Sequence, residues 1–458
     1  MSLPDGPKTP AILQLIEWIA SPFSFMRRCA ERYGDCFTVY VSHEKAPTVL
    51  FSHPEALQTI LTSDESEEFD APGERNEVLE PLLGSQSLIA LSGDRHRRMR
   101  RLMMPPFHGE RMRSYGQLMA DVTDEEMEGC IAGKPFPLRK CMQAISMRVI
   151  LKAVFGLDHG SRYQQMERLL GVFLDYISNP LSVSLLFLPI LRRNLGPYSP
   201  WGHFVRIRER IDKLIYEEIR ERRTQLDASR DDILTLLMLA RDEAGDALTD
   251  VELRDELMTL LIAGHETTAT ALTWALYWIH KLPQVRERLL AELQTSDVTD
   301  PNVLFRVPYL NAVCCETLRI YPVGMLTFSR VTTSRVELAG HSFEAGTAIM
   351  GCIYLAHHRK EVYPDPDHFN PERFLERRFS AFEYLPFGGG ARRCIGAAFA
   401  QFEMKVVISR ILSRFELALA TKRPVRPVRR GLTAGPSSVR LVVKRQVAPK
   451  LSRSVSVS

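Results

Sequence analysis

Between Thr249 and Pro283 lies the segment that most limits how this 458-residue chain can fold. Thr249 followed by Glu252 is a capping-box pattern that starts a helix, and Pro283 ends it. About thirty residues at roughly 1.5 Å each make a rod about 45 Å long. From residue 257 to 279 nearly every side chain is apolar, so the rod must be sheathed on all sides. Lipid could supply the sheath, but His265, Glu266, Thr267 and Thr268 sit mid-segment and are costly there. The alternative is a thick body of other helices. A mainly α fold around one buried central helix is therefore predicted, with no transmembrane span.

Strand-like runs are few. Residues 36–41 and 47–51 form one pair, and 336–338 and 347–352 are predicted as their later partners. The β-rich parts thus fall at about 30–60 and 325–355, and the stretch between reads as helical, punctuated by Pro and Gly. No segment has the composition of a flexible linker, so residues 1–458 read as one compact domain. The polar tail over 447–458 is expected to be disordered. A net charge of +4 is small for a nucleic-acid binder. No basic stretch leads into an apolar core at the N-terminus, and Glu17 and Pro22 interrupt the apolar run over 11–25. Neither a signal peptide nor a membrane span is read there.

The eight cysteines, at 29, 36, 130, 141, 314, 315, 352 and 394, contain no C-x-x-C pair, which excludes a zinc ribbon or a thioredoxin-like motif. Scattered thiols of this kind point to a reducing compartment, so a soluble cytoplasmic protein is expected. One cysteine stands apart. Phe387-Gly-Gly-Gly390-Ala-Arg392-Arg-Cys394-Ile-Gly396 puts Cys394 in a glycine-rich loop just before an apolar helical stretch. Backbone N–H groups and a helix N-terminus stabilise negative sulfur, and Arg392 adds positive charge two residues away. A phosphate loop would need Gly-Lys-Ser/Thr after the glycines, and Arg-Arg-Cys stands there instead. A purely structural cysteine leaves the phenylalanine, glycines and arginine unexplained.

Three further clusters carry chemistry. Ala263-Gly264-His265-Glu266-Thr267-Thr268 lies on the central helix. Its His-Glu pair fails as a zinc-protease motif because Ala269 stands where the second histidine belongs. Gly264, a poor helix former, would let something approach the backbone closely. Glu316 and Arg319 are one helical turn apart and can pair; Arg373 follows in Phe369-Asn-Pro-Glu-Arg373-Phe374. His96 and Arg100 project from one helical face in Gly93-Asp-Arg-His96-Arg-Arg-Met-Arg100-Arg101.

The loop over 387–396 resembles the haem-binding loop of the cytochrome P-450 superfamily, F-x-x-G-x-R-x-C-x-G, with every fixed position filled. The other three clusters match further motifs of that superfamily in its order, so the resemblance covers essentially the whole chain. It implies the cytochrome P-450 fold, a large helical body with a small β-sheet region and haem b buried between the central helix and the cysteine loop. It implies that Cys394 ligates the iron, and that His96, Arg100, Arg330, Arg392, Phe387, Gly396 and Ala263 contact the haem, the cationic ones through its propionates. His96 stands where the superfamily often has tryptophan. Glu266 and Thr267 match the acid–alcohol pair that relays protons, and Gly264 the residue that gives dioxygen room. Glu316, Arg319 and Arg373 match a structural triad that locks the cysteine loop.

The implied activity is a haem-thiolate monooxygenase that inserts one atom of dioxygen into a hydrophobic substrate. Apolar residues Val323, Met325, Leu326 and Phe328, together with Ala263, are expected to line the pocket, with 181–191 as part of a lid. The segment 104–113 is similar to that of bacterial, especially cyanobacterial, members linked to fatty-acid and terpene hydroxylation. No G-x-G-x-x-G follows a strand, so electrons are expected from a separate ferredoxin or flavodoxin-type donor with its NAD(P)H reductase. Arg97, Arg98 and Arg101 are either a solvated face or a dock for that donor. A peroxide-driven enzyme and a non-catalytic haem sensor are the rival readings. The intact Glu266-Thr267 pair argues against both.

Overall fold

The computed structural model describes residues 3–41, 46–63, 68–157, 160–179, 192–196, 199–225, 227–296, 300–421, 423–431 and 433–447. The 181–191 segment and the tail from 448 lie outside them; Val447, expected in the tail, still donates to the Arg414 carbonyl at 2.8 Å. The fold is mainly helical with small sheets.

The central helix runs Asp250–Lys281, and both halves of its capping box form. The Glu252 N–H donates to the Thr249 hydroxyl (3.2 Å), and the Thr249 N–H to the Glu252 carboxylate (2.8 Å). Most of its side chains are buried around the full circumference, as an apolar rod in a protein body must be. Its most extensive packing partner is the helix Leu138–Phe155, called here the flanking helix. Gly264 permits that approach: a Cβ there would sit 2.9 Å from Cδ1 of Ile150 on the flanking helix. No helix among the described residues is long and apolar enough to cross a membrane.

The largest sheet has five strands in the order Cys36–Val39, Thr48–Phe51, Ala348–Gly351, Arg330–Thr332, Phe69–Asp70. Thr48–Phe51 pairs parallel with Ala348–Gly351, and the other neighbours are antiparallel. The expected partner Val336–Leu338 is not in this sheet. It turns back on His341–Phe343 through Ala339 and Gly340, both at positive φ, the backbone of a two-residue hairpin turn. Two further sheets were not foreseen. Arg440–Gln446 pairs with both Phe415–Leu419 and Pro135–Pro137, and Pro427–Arg430 forms a separate hairpin with Thr433–Pro436.

Candidate active site around Cys394

The cysteine loop is shaped by its glycines and closed by its own backbone. Gly388 and Gly390 have φ of 68° and 65°, a region strained for other residues. The Cys394 N–H donates to the Phe387 carbonyl (3.0 Å), and the Arg393 N–H to Gly390 (3.1 Å). The helix Ala397–Arg414 begins three residues on. Cys394 is solvent-accessible although protein surrounds it closely enough that burial pushes its thiol up. The Gly396 N–H on the sulfur and the charges of Arg100 and Arg393 pull the other way. These are the groups a thiolate uses.

Positive charge collects beside this loop. Arg330 is fully buried and donates to the carbonyls of Phe328 (2.8 Å) and Gly389 (3.1 Å). Arg100 donates to the Arg393 carbonyl at 2.7 Å. Arg392 is spent differently from the expectation. All three of its nitrogens reach backbone carbonyls, those of Ala71, Leu88 and Leu91, so it ties the loop to 71–91 and contributes its charge. His96 is buried, and desolvation with the fields of Arg392, Arg100, Arg330 and Arg97 pushes its pKa down to about 3. A histidine kept neutral by burial and by four guanidiniums marks a place that favours an anionic guest. A haem brings two carboxylates and an iron that takes a thiolate, and this donor set fits it.

Glu316, Arg319 and Arg373 meet in the interior. Glu316 receives Arg319 at 2.7 and 2.9 Å and Arg373 at 3.3 Å, and the Asn370 N–H adds a fourth bond at 2.8 Å. Tyr363 lies under both guanidiniums, 5.1 and 5.9 Å from its centroid. Arg319 also donates to the His357 carbonyl at 2.8 Å.

Sequence reasoning missed the link from this triad to the loop, which is His357. Its Nε2 accepts the Leu385 N–H at 2.9 Å, and its Nδ1 lies 3.2 Å from the Arg319 carbonyl. An accepting Nε2 leaves the proton on Nδ1, so the neutral ring donates to Arg319. Burial first, and the Arg319 charge next, hold its pKa well below the usual value. The ring stacks on Tyr384, whose hydroxyl donates to the Cys315 carbonyl at 3.1 Å. The adjacent His357-His358 was visible in the sequence, but its partners are 28 and 38 residues away.

On the central helix, Glu266 and Thr267 turn to separate partners. The Glu266 carboxylate pairs with Arg139 and accepts from the Gln143 amide at 2.9 Å, both on the flanking helix. Thr267 donates to the Ala263 carbonyl at 2.6 Å. Ala263 is exposed and Thr267 half-buried, on one helical face. The pocket residues divide as a strand-like segment dictates, alternate side chains facing opposite ways. Leu326 and Phe328 are half-buried, whereas Val323 and Met325 are buried in the apolar core. Met325 packs in the cluster that contains Trp18, Phe25 and Cys352, and Leu326 packs against the same cluster. Arg97, Arg98 and Arg101 are ion-paired with Asp94, with Asp242 and Glu252, and with Glu243. That face is largely neutralised.

This arrangement, a glycine-loop cysteine, a cationic surround and a buried Glu-Arg-Arg core within a mainly helical body, defines a haem-thiolate protein. The cytochrome P450 family model matches residues 4–443, and the chain belongs to that family. It is a monooxygenase, an oxidoreductase that uses haem iron and dioxygen. It is similar to the putative cytochrome P450 135B1 of Mycobacterium tuberculosis, 37% identical over 428 residues that cover 93% of this chain and 88% of that one. The putative cytochrome P450 138 of the same organism is 32% identical over 445 residues, covering 97% and 96%. Among solved structures, retinoic acid-bound cyanobacterial CYP120A1 superposes with a TM-score of 0.83 at 25% identity, over 97% of this chain and all of that one.

Proposed function

We propose that this monooxygenase hydroxylates a fatty acid or a terpenoid, with haem b held by the thiolate of Cys394. The observation that carries the ligand assignment is the loop itself, where Gly388 and Gly390 at positive φ let the Cys394 N–H close on the Phe387 carbonyl while Arg100 binds the adjacent Arg393 carbonyl. His96, Arg100 and Arg330 are the propionate partners, and Arg392 fixes the loop on which they converge. The haem, when bound, activates dioxygen so that one atom enters the substrate and the other leaves as water. The chain's own residues supply the rest. Thr267 presents its hydroxyl on the accessible face it shares with Ala263, and Glu266, ion-paired with Arg139 on the flanking helix, passes protons in from that side. Glu316, Arg319 and Arg373 keep the loop in place and take no part in the chemistry.

The substrate reading is supported by the apolar Ala263, Leu326 and Phe328, since mostly apolar pockets favour hydrophobic ligands. It is supported also by the likeness to a protein bound to retinoic acid, an isoprenoid carboxylic acid. Electrons come from a separate ferredoxin- or flavodoxin-type donor with an NAD(P)H reductase, and the site of work is the cytoplasm. The test is a spectral titration of the purified ferric protein with long-chain fatty acids and with sesquiterpenes. A low-spin to high-spin shift with either class is expected; absence of a shift with both refutes the substrate assignment. Cys394→Ala tests the ligand. Retention of the red-shifted carbonyl-ferrous band would overturn it.

A further inference from the structure

The helix Ala11–Ala20 is amphipathic the wrong way round. It buries Gln14 and Trp18, while Ile12, Leu13, Ile16 and Ile19 are 58, 49, 53 and 43% exposed. At 100° per residue these four and Ala20 share one arc of about 120°. The orientation is fixed from inside. The Gln14 amide donates to the carbonyls of Pro7 (2.9 Å) and Thr9 (2.8 Å), and its oxygen accepts the Tyr40 N–H at 3.0 Å. The helix cannot roll its isoleucines inward without breaking three bonds, and no described residue covers them.

Beside this helix runs the strand Pro427–Arg430. Arg429 donates to the Trp18 carbonyl at 3.3 Å and lies 5.8 Å over its ring. Arg423, Arg426 and Val428 are exposed, and residues 421–431 hold no acid. An aliphatic arc whose helix touches an acid-free, arginine-bearing segment suits an anionic lipid surface, where such helices lie in the interfacial plane. A second copy fits poorly. A ten-residue helix about 15 Å long offers far less than the roughly 800 Å² per side of a stable dimer, whereas a bilayer needs no matched relief.

We propose that the exposed aliphatic face of Ala11–Ala20, together with the exposed Arg423 and Arg426 of the segment leading into the neighbouring strand, docks this protein peripherally on anionic lipid bilayers. The test is co-sedimentation of the full chain with phosphatidylcholine vesicles, with and without phosphatidylglycerol. Binding to the anionic vesicles that weakens with salt is expected, and each removed arginine should weaken it about fivefold. Arg423→Ala with Arg426→Ala then costs about thirtyfold, and Ile12→Asp with Ile16→Asp abolishes binding. Ile16→Trp provides a probe that leaves the face apolar, and its fluorescence should shift to the blue on addition of the anionic vesicles. No sedimentation of the unaltered protein, undiminished binding of the aspartate pair, or an unshifted Ile16→Trp emission each overturns the proposal. So does a dimer by light scattering that the aspartate pair converts to monomer without any vesicle binding, because the face would then be a self-association surface.

Discussion

His357→Phe separates the hydrogen bonds of the buried histidine from its packing. Phenylalanine keeps a ring to stack on Tyr384 but offers nothing to the Leu385 N–H or the Arg319 carbonyl, 2.9 and 3.2 Å from the imidazole. Each orphaned buried group costs about 1–3 kcal/mol, so the loss is about 2–6 kcal/mol against a whole-domain stability of about 5–15 kcal/mol. It falls on one place. Leu385 is two residues before Phe387, whose carbonyl holds the Cys394 N–H, so the cysteine loop should loosen before the helical body melts. The assay is urea unfolding together with haem retained through dialysis and the proportion of carbonyl-ferrous protein absorbing near the normal rather than the blue-shifted band. His357→Gln, whose amide oxygen can accept the Leu385 N–H, should recover about half the loss. If His357→Phe holds haem and resists urea as well as the unaltered protein, the bridge has no energetic role. If glutamine does no better than phenylalanine, the effect is packing and the hydrogen-bond argument fails.

Three other outcomes follow from the geometry. Thr267→Ala should divert reducing equivalents from product to hydrogen peroxide, towards the roughly 100-fold loss that removing a positioned proton donor entails; unchanged product per NAD(P)H consumed would refute its role. Gly264→Ala should lie within about 1 kcal/mol of the parent in urea, because the new methyl displaces only the flexible end of Ile150 while helix propensity rises by a similar amount; a collapse of stability would show that the flanking helix cannot yield. Acid should destabilise the protein. His265 and His280 are pushed down to about 4, His358 to about 3, and His357 lower than usual, all by burial. Their stabilisation is complete above the unfolded value near 6.5 and drains away as the pH falls below it. Glu403, pushed up to about 8, and Glu256 act oppositely, gaining a proton on folding. With His96, also pushed down to about 3, five protons bound by the unfolded chain against two by the folded one leave three, or about 4 kcal/mol per pH unit between roughly 6 and 5. A flat urea midpoint across that window contradicts it.

What could be read in advance was what is local. The central helix starts at the threonine its capping box names and stops one residue before the last leucine ahead of Pro283. The cysteine loop was legible because its glycines, arginine and cysteine lie within ten residues. What escaped is what only the assembled fold brings together. Arg139 meets Glu266 across 127 residues, and Arg392 finds its carbonyls some 300 residues back. The smaller sheets escaped for another reason. Pro135–Pro137, Pro427–Arg430 and Thr433–Pro436 are short and each contains proline, which sits poorly on a strand template.

The parallel pairing of Thr48–Phe51 with Ala348–Gly351 also sets a clock on biosynthesis. About 300 residues separate the two strands, and at roughly 5–20 residues per second the ribosome needs about 15–60 s to deliver the second. Until then the early hairpin of Cys36–Val39 and Thr48–Phe51 carries an open edge of the kind that recruits foreign strands. Cys394 emerges later still, so a nascent chain cannot capture its prosthetic group while its first half waits. Yield in a foreign host is therefore governed by how well chaperones shield the N-terminal half during that interval, and added haem precursor helps only chains that have already closed the sheet.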